Sequence, residues 1–84
     1  MALAVITGGA TGIGAAAVRA FAAEGYDVAL LDINGEAGRA LGGETHSGRV
    51  VFFETDVSKR ASIVQSVEAA VAKLGAPDVL FANA

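Results

Sequence analysis

Cysteine and tryptophan are absent from this chain of 84 residues, which holds one histidine, one tyrosine and one proline. Each scarcity removes a class of protein. Without cysteine there is no disulfide framework and no thiolate nucleophile or ligand. His46 alone cannot assemble a histidine-rich metal site, so no metal is expected. Six basic against nine acidic residues give a net charge of −3, the wrong sign for a nucleic-acid footprint. The longest apolar run near the N-terminus is broken by glycine and threonine, so neither a signal peptide nor a membrane span fits. A soluble, cytoplasmic protein without a membrane or nucleic-acid partner is the expectation.

What the chain has in abundance is apolar surface. It is 54% hydrophobic with mean hydropathy +0.55, which excludes intrinsic disorder and points to strands buried on both faces. Its length allows one domain, residues 1–84.

Two periodicities alternate along it. Residues 3–7 (LAVIT), 27–32 (DVALLD), 49–56 (RVVFFETD) and 78–84 (DVLFANA) read as strands. Between the first two, Ile13, Ala17, Ala20 and Phe21 recur at helical spacing up to Glu24, and Gly25 offers a stop. Asn34 is the expected cap of a short second helix whose glycines weaken it. Ser58 is the expected cap of a third, with Ile63, Val67, Ala70, Val71 and Leu74 on one stripe and Gly75 and Pro77 ending it. The order βαβαβαβ calls for parallel strands joined by right-handed crossovers.

The stretch TGGATGIG carries the functional signal. Gly8, Gly12 and Gly14 fall between a strand and a helix, where several backbone N–H groups gather at a helix N-terminus and attract phosphate. Glycines allow the tight turn and let a pyrophosphate approach without meeting a Cβ. Asp32 ends the next strand, where a carboxylate can accept from both hydroxyls of a nucleotide ribose. Close packing of helix on strand would also use small residues, but it does not require the acid.

The spacing Thr7-Gly8-x-x-x-Gly12-x-Gly14 resembles the cofactor loop of the short-chain dehydrogenase/reductase family, and Asp56-Val57 and Asn83-Ala84 are similar to two further family marks. The resemblance spans nearly the whole chain. It implies an α/β fold, a Rossmann-type doubly wound parallel sheet in part, with strand order 3-2-1-4. It further implies that Gly8, Ala10, Thr11, Gly12, Ile13 and Gly14 wrap the pyrophosphate and that Asp32 holds the adenine ribose, with Ile33 against the adenine. Asp56 would accept from the adenine amino group, Val57 would offer its backbone N–H, and Asn83 and Ala84 would line the crevice beside strand one. The last placement agrees with the rule that ligands bind where strand order reverses.

The cofactor expected is NAD. A 2'-phosphate beside Asp32 is repelled, and positions 9, 10, 15 and 33 are Gly, Ala, Ala and Ile, leaving only Arg39 nearby as a cation. The activity implied is hydride transfer between NAD and a small alcohol or ketone by a homo-oligomeric enzyme. The family's catalytic serine and Tyr-x-x-x-Lys are missing, however. The single tyrosine, Tyr26, has Leu30 where the motif needs lysine and is expected to pack in the interior. Ser47, Ser58, Ser62 and Ser66 match no serine motif, and His46 is expected in solvent. No catalytic residue is therefore assigned, and the chain reads as the N-terminal cofactor half of a longer enzyme. The alternatives are an inactive dinucleotide-binding module and, more remotely, an S-adenosylmethionine-binding methyltransferase fold.

Overall fold

Leu3–Thr7 form β1, in which Leu3, Ala4, Val5 and Ile6 are all buried. A strand buried on both faces belongs at the centre of a sheet. The computed structural model describes residues 2–44 and 46–83, and in it β1 lies between β2 (Asp27–Asp32) and β4 (Val79–Ala82), with β3 (Val50–Glu54) outside β2. All pairs are parallel, in the order β3-β2-β1-β4. The three connections carry the helices α1 (Gly12–Ala23), α2 (Gly35–Gly42) and α3 (Arg60–Leu74).

Alternation along the central strands sorts the core into two layers. Ala4, Ile6, Val28 and Leu30 face α1 and α2, where Val18, Ala22 and Leu41 meet them. Leu3, Val5, Ala29 and Leu31 face α3 and pack with Ala70. Each fully buried Leu, Ile or Val contributes about 1.5–3 kcal/mol. Phe52 and Phe53 pack against opposite layers, as their adjacent positions on a strand demand. Tyr26 packs edge-to-face on Phe21, with ring centroids 5.0 Å apart.

The helices differ from the sequence-based expectation in orientation and capping. On α1 the buried residues are Gly14, Ala15, Val18 and Ala22, while Ile13 is 73% exposed and Ala20 is exposed. Alanines surround this helix, so hydropathy hardly marks a face, and the bulk of Val18 and the absent side chain of Gly14 set its rotation. Asn34 caps α2 as expected, accepting the Ala37 N–H at 3.1 Å. The cap residue of α3 is Lys59, which makes no side-chain cap bond, and not Ser58, whose hydroxyl is bound to Asp56 instead. Val71, placed on the apolar stripe of α3, is 40% exposed. β3 and β4 are shorter than the apolar runs suggested, with the last register pairs at Glu54 and Ala82.

The far end of the sheet is closed by an ion pair. Asp27 is 2% exposed and accepts from the Arg49 backbone N–H at 3.0 Å and from Arg49 Nη2 at 3.1 Å. His46 departs from the solvated placement, since its side chain is only 14% exposed and meets Glu44 Oε1 at 3.2 Å. Glu44 also accepts two hydrogen bonds from Arg19.

Candidate nucleotide site at the carboxyl ends of the strands

The chain leaves β1 at Thr7 and turns at once. Gly8 has φ +65° and Gly12 has φ +59°, left-handed conformations that side chains with a Cβ adopt at a cost. The Gly8 N–H donates to the Leu31 carbonyl at 2.8 Å, so the turn stays fixed to β2. Gly14 is required for space: a Cβ there would strike the Gly8 carbonyl oxygen and lie 2.8 Å from Gly9 Cα. Gly9, given no role from sequence, is also closely packed, since a Cβ would meet Leu30 Cδ1 at 2.5 Å and Ile6 Cγ2 at 3.0 Å. Its place directly after a strand in a Gly-Gly pair was the available signal.

The loop delivers the chain to the N-terminus of α1 with its donors open. Thr11 makes no side-chain cap bond, and the first turn carries no acidic residue. The first N–H groups of a helix lack intrahelical acceptors, so this end presents partial positive charge and free donors. The space that a Cβ on Gly12 would enter is empty to 4 Å. An uncapped, glycine-bordered helix end of this kind suits an anionic diphosphate.

Asp32 and Asn83 flank the loop, and Asp56 follows the end of β3 beside β2. Asp32 Oδ2 accepts the Ala10 N–H at 3.0 Å, and Oδ1 accepts the Asn34 N–H at 3.0 Å. The Asn83 N–H donates to Thr7 Oγ1 and its Nδ2 donates to the Gly8 carbonyl, both at 3.2 Å. The Thr55 N–H donates to the Asp32 carbonyl at 2.9 Å, which brings Asp56 and Val57 beside the end of β2. Asp56 Oδ1 accepts from both the N–H and the hydroxyl of Ser58, at 3.0 and 2.6 Å. These bonds from Ser58 hold the Asp56 carboxyl below the usual range. A carboxylate so held is a poor base, so its contact with Ser58 does not make that serine a nucleophile. The turn Asp56-x-Ser58 was legible as a short-range side-chain turn and was read instead as a helix cap.

The structure thus brings together Gly8, Ala10, Thr11, Gly12, Ile13, Gly14, Asp32, Asp56, Val57 and Asn83 at one end of the sheet. Ile33 follows Asp32 there, 60% exposed. Ala84 lies outside the described residues. Among the described residues, no group of three or more His, Asp or Glu is placed to hold a metal ion. None of their helices is long and apolar enough to cross a membrane.

A doubly wound parallel sheet with a glycine turn from β1 into α1 defines the Rossmann-type class. Residues 2–84 match the family described as short chain dehydrogenase, and the chain belongs to that family. It is 42% identical over 83 residues to short chain aldehyde dehydrogenase 1 of Euphorbia lathyris, covering 98% of this chain and 29% of that protein. Tropinone reductase-like 1 of Erythroxylum coca is 39% identical over 82 residues, 98% of this chain and 30% of that one. Among solved structures, an alcohol dehydrogenase from the archaeon Thermococcus sibiricus complexed with 5-hydroxy-NADP superposes with a TM-score of 0.90 at 32% identity, over 95% of this chain and 35% of its own. A 3-ketoacyl-(acyl-carrier-protein) reductase from Brucella melitensis complexed with NADH gives 0.83 at 32% identity, over 94% of this chain and 32% of its own. The chain therefore spans about a third of the length of the proteins it matches.

Proposed function

We propose that this chain is the cofactor-binding part of an NAD-dependent oxidoreductase acting on a small alcohol or ketone. The observation that carries the reading is the pairing of an open, uncapped α1 N-terminus behind Gly8 and Gly12 with the Asp32 carboxylate at the tip of the neighbouring strand. When bound, the nicotinamide cofactor supplies or accepts the hydride.

The residues of the chain bind and orient. The N–H groups of Gly12, Ile13 and Gly14, with the turn of Gly8, Ala10 and Thr11, receive the diphosphate charge. Asp32 accepts from the adenine ribose, exchanging part of its present bonds to Ala10 and Asn34. Ile33 covers one side of the adenine, and Asp56 and Val57 meet its polar edge. Asn83 holds the Gly8 carbonyl at the side of the crevice next to β1. The preference for NAD over NADP rests on charge, because a 2'-phosphate would lie against the Asp32 carboxylate. Arg39, the cation of α2, lies against Gly35 along the groove beside Val50, Phe52 and Glu54.

The proton of the carbinol group needs an acid or base that these residues do not provide, since Tyr26 is packed on Phe21 and His46 is held by Glu44. Those groups are assigned to the remainder of a longer protein. Calorimetric titration with NAD, NADP and S-adenosylmethionine tests the reading. Binding of NAD, weaker binding of NADP and none of S-adenosylmethionine are expected, and tighter binding of S-adenosylmethionine would overturn it.

A further inference from the structure

Two serines of α3, Ser62 in its first turn and Ser66 in its interior, turn their hydroxyls on the same short segment. Ser62 Oγ accepts the backbone N–H of Asp56 at 2.9 Å. One turn later, Ser66 Oγ lies 2.6 Å from Thr55 Oγ1, in a pair whose residues are 7% and 1% exposed. Thr55 gives its only hydroxyl proton to the Phe53 carbonyl at 2.9 Å, so in this arrangement Ser66 donates to Thr55. Alanine is the better helix former at the interior position of Ser66, and the helix is otherwise rich in it. A polar choice there needs a reason outside the helix, and both hydroxyls point to the residues directly after β3.

Besides these, the segment is held by two backbone bonds, from the Thr55 N–H to the Asp32 carbonyl and from the Lys59 N–H to the Asp56 carbonyl, both at 2.9 Å. Strand pairing has ended at Glu54, and the Asp56 side chain is bound through one oxygen to Ser58, an exposed neighbour in the same turn. Among the described residues Asp56 Oδ2 accepts no hydrogen bond, so the carboxylate is oriented by its Oδ1 bonds to Ser58 and by the backbone position of Asp56. The hydroxyl of Ser62 is the side-chain group of α3 that holds the Asp56 N–H itself, beside the backbone bond from the Lys59 N–H to the Asp56 carbonyl.

We propose that Ser62 is a positioning residue that aims the Asp56 carboxylate and the Val57 N–H at the purine of a bound dinucleotide, and so sets its preference for adenine. This rests on the nucleotide reading above. A carboxylate accepts from the 6-amino group of adenine and repels the 6-carbonyl oxygen of hypoxanthine, so the aim of Asp56 is read out as discrimination between the two.

The test titrates NAD and nicotinamide hypoxanthine dinucleotide into the wild-type protein, Ser62→Ala and Ser62→Thr, with thermal melting of each. Wild type is expected to favour NAD. Ser62→Ala is expected to lose about three- to tenfold in NAD affinity while the hypoxanthine dinucleotide changes less, and Ser62→Thr, which keeps the hydroxyl, to restore the preference. Should Ser62→Ala melt too early to titrate, amide exchange at Asp56 in Ser62→Thr serves instead, with protection as in wild type expected. Exchange at Asp56 as fast as in the exposed turn around it would overturn the proposal. Discrimination in wild type that Ser62→Ala leaves intact, or equal weakening of both ligands, overturns it alone. Wild type that binds neither dinucleotide overturns the nucleotide reading and the proposal together.

Discussion

The Asp32 carboxylate fastens the glycine turn, with Oδ2 accepting the Ala10 N–H at 3.0 Å while Oδ1 accepts the Asn34 N–H at the same distance. One side chain thus ties the loop after β1 to the loop after β2. Replacing it disturbs two things at once, the ribose acceptor and the shape of the phosphate turn. Asp32→Ala is expected to weaken NAD binding by about 1–3 kcal/mol and to narrow the gap between NAD and NADP. Amide exchange at Ala10 should quicken in the same variant. Unchanged NAD affinity by calorimetry would remove Asp32 from the site.

Gly14 marks the closest approach of α1 to the loop. A Cβ there would lie 2.8 Å from Gly9 Cα and 2.9 Å from Asn83 Nδ2, besides striking the Gly8 carbonyl oxygen. Backbone cannot yield as a flexible side chain can, so Gly14→Ala must push α1 away from β1. A loss of about 1–3 kcal/mol in urea unfolding is expected, together with weaker NAD binding. A variant as stable as wild type would mean that the helix end is free to shift.

Acid should weaken the ion pair at the far end of the sheet. Hydrogen bonds from the Arg49 side chain and backbone, opposed in part by burial, hold the Asp27 carboxyl below its ordinary value of 3.8. Because the folded value is the lower one, the stabilisation is complete above pH 3.8 and is lost as the pH falls through the folded value. Asp27→Asn cannot gain or lose this proton. Unfolding free energies measured at stepped pH should therefore fall less steeply below pH 4 in Asp27→Asn than in wild type. Parallel curves would show that the pair contributes nothing to acid stability.

The βαβαβαβ order and the parallel pairing were legible because β-branched runs, glycine stops and the right-handed crossover rule leave few arrangements open, while the strand order 3-2-1-4 came from the family resemblance. The glycine turn was legible because Gly8, Gly12 and Gly14 each answer a backbone demand. The rotation of α1 was hidden by its alanines, which carry almost no facial contrast between Ile13 and Ala23. The cap of α3 was misread because Ser58 has two partners in reach, the helix N-terminus and Asp56, and spacing alone does not decide between them. Hydroxyl contacts such as Ser62 with Asp56 and Ser66 with Thr55 were beyond reach for another reason. They depend on how α3 is rotated over the sheet, which no local pattern encodes.

The outer edge of β4 is the remaining place where structure predicts behaviour. Among the described residues β4 pairs with β1 alone, and Leu80 is 69% exposed beside an apolar groove of about 330 Å³ that Val5, Ile63 and Val67 also line. Unpaired strand groups next to exposed apolar side chains are a template for a second chain. A polypeptide of these 84 residues should therefore associate as its concentration rises. Leu80→Lys, which places a charge on that edge, should reduce the association without unfolding the sheet, since Leu80 is mostly exposed already. Light scattering across an about tenfold range of concentration tests this, and a monomer of constant mass throughout would show that the edge is protected despite its exposure.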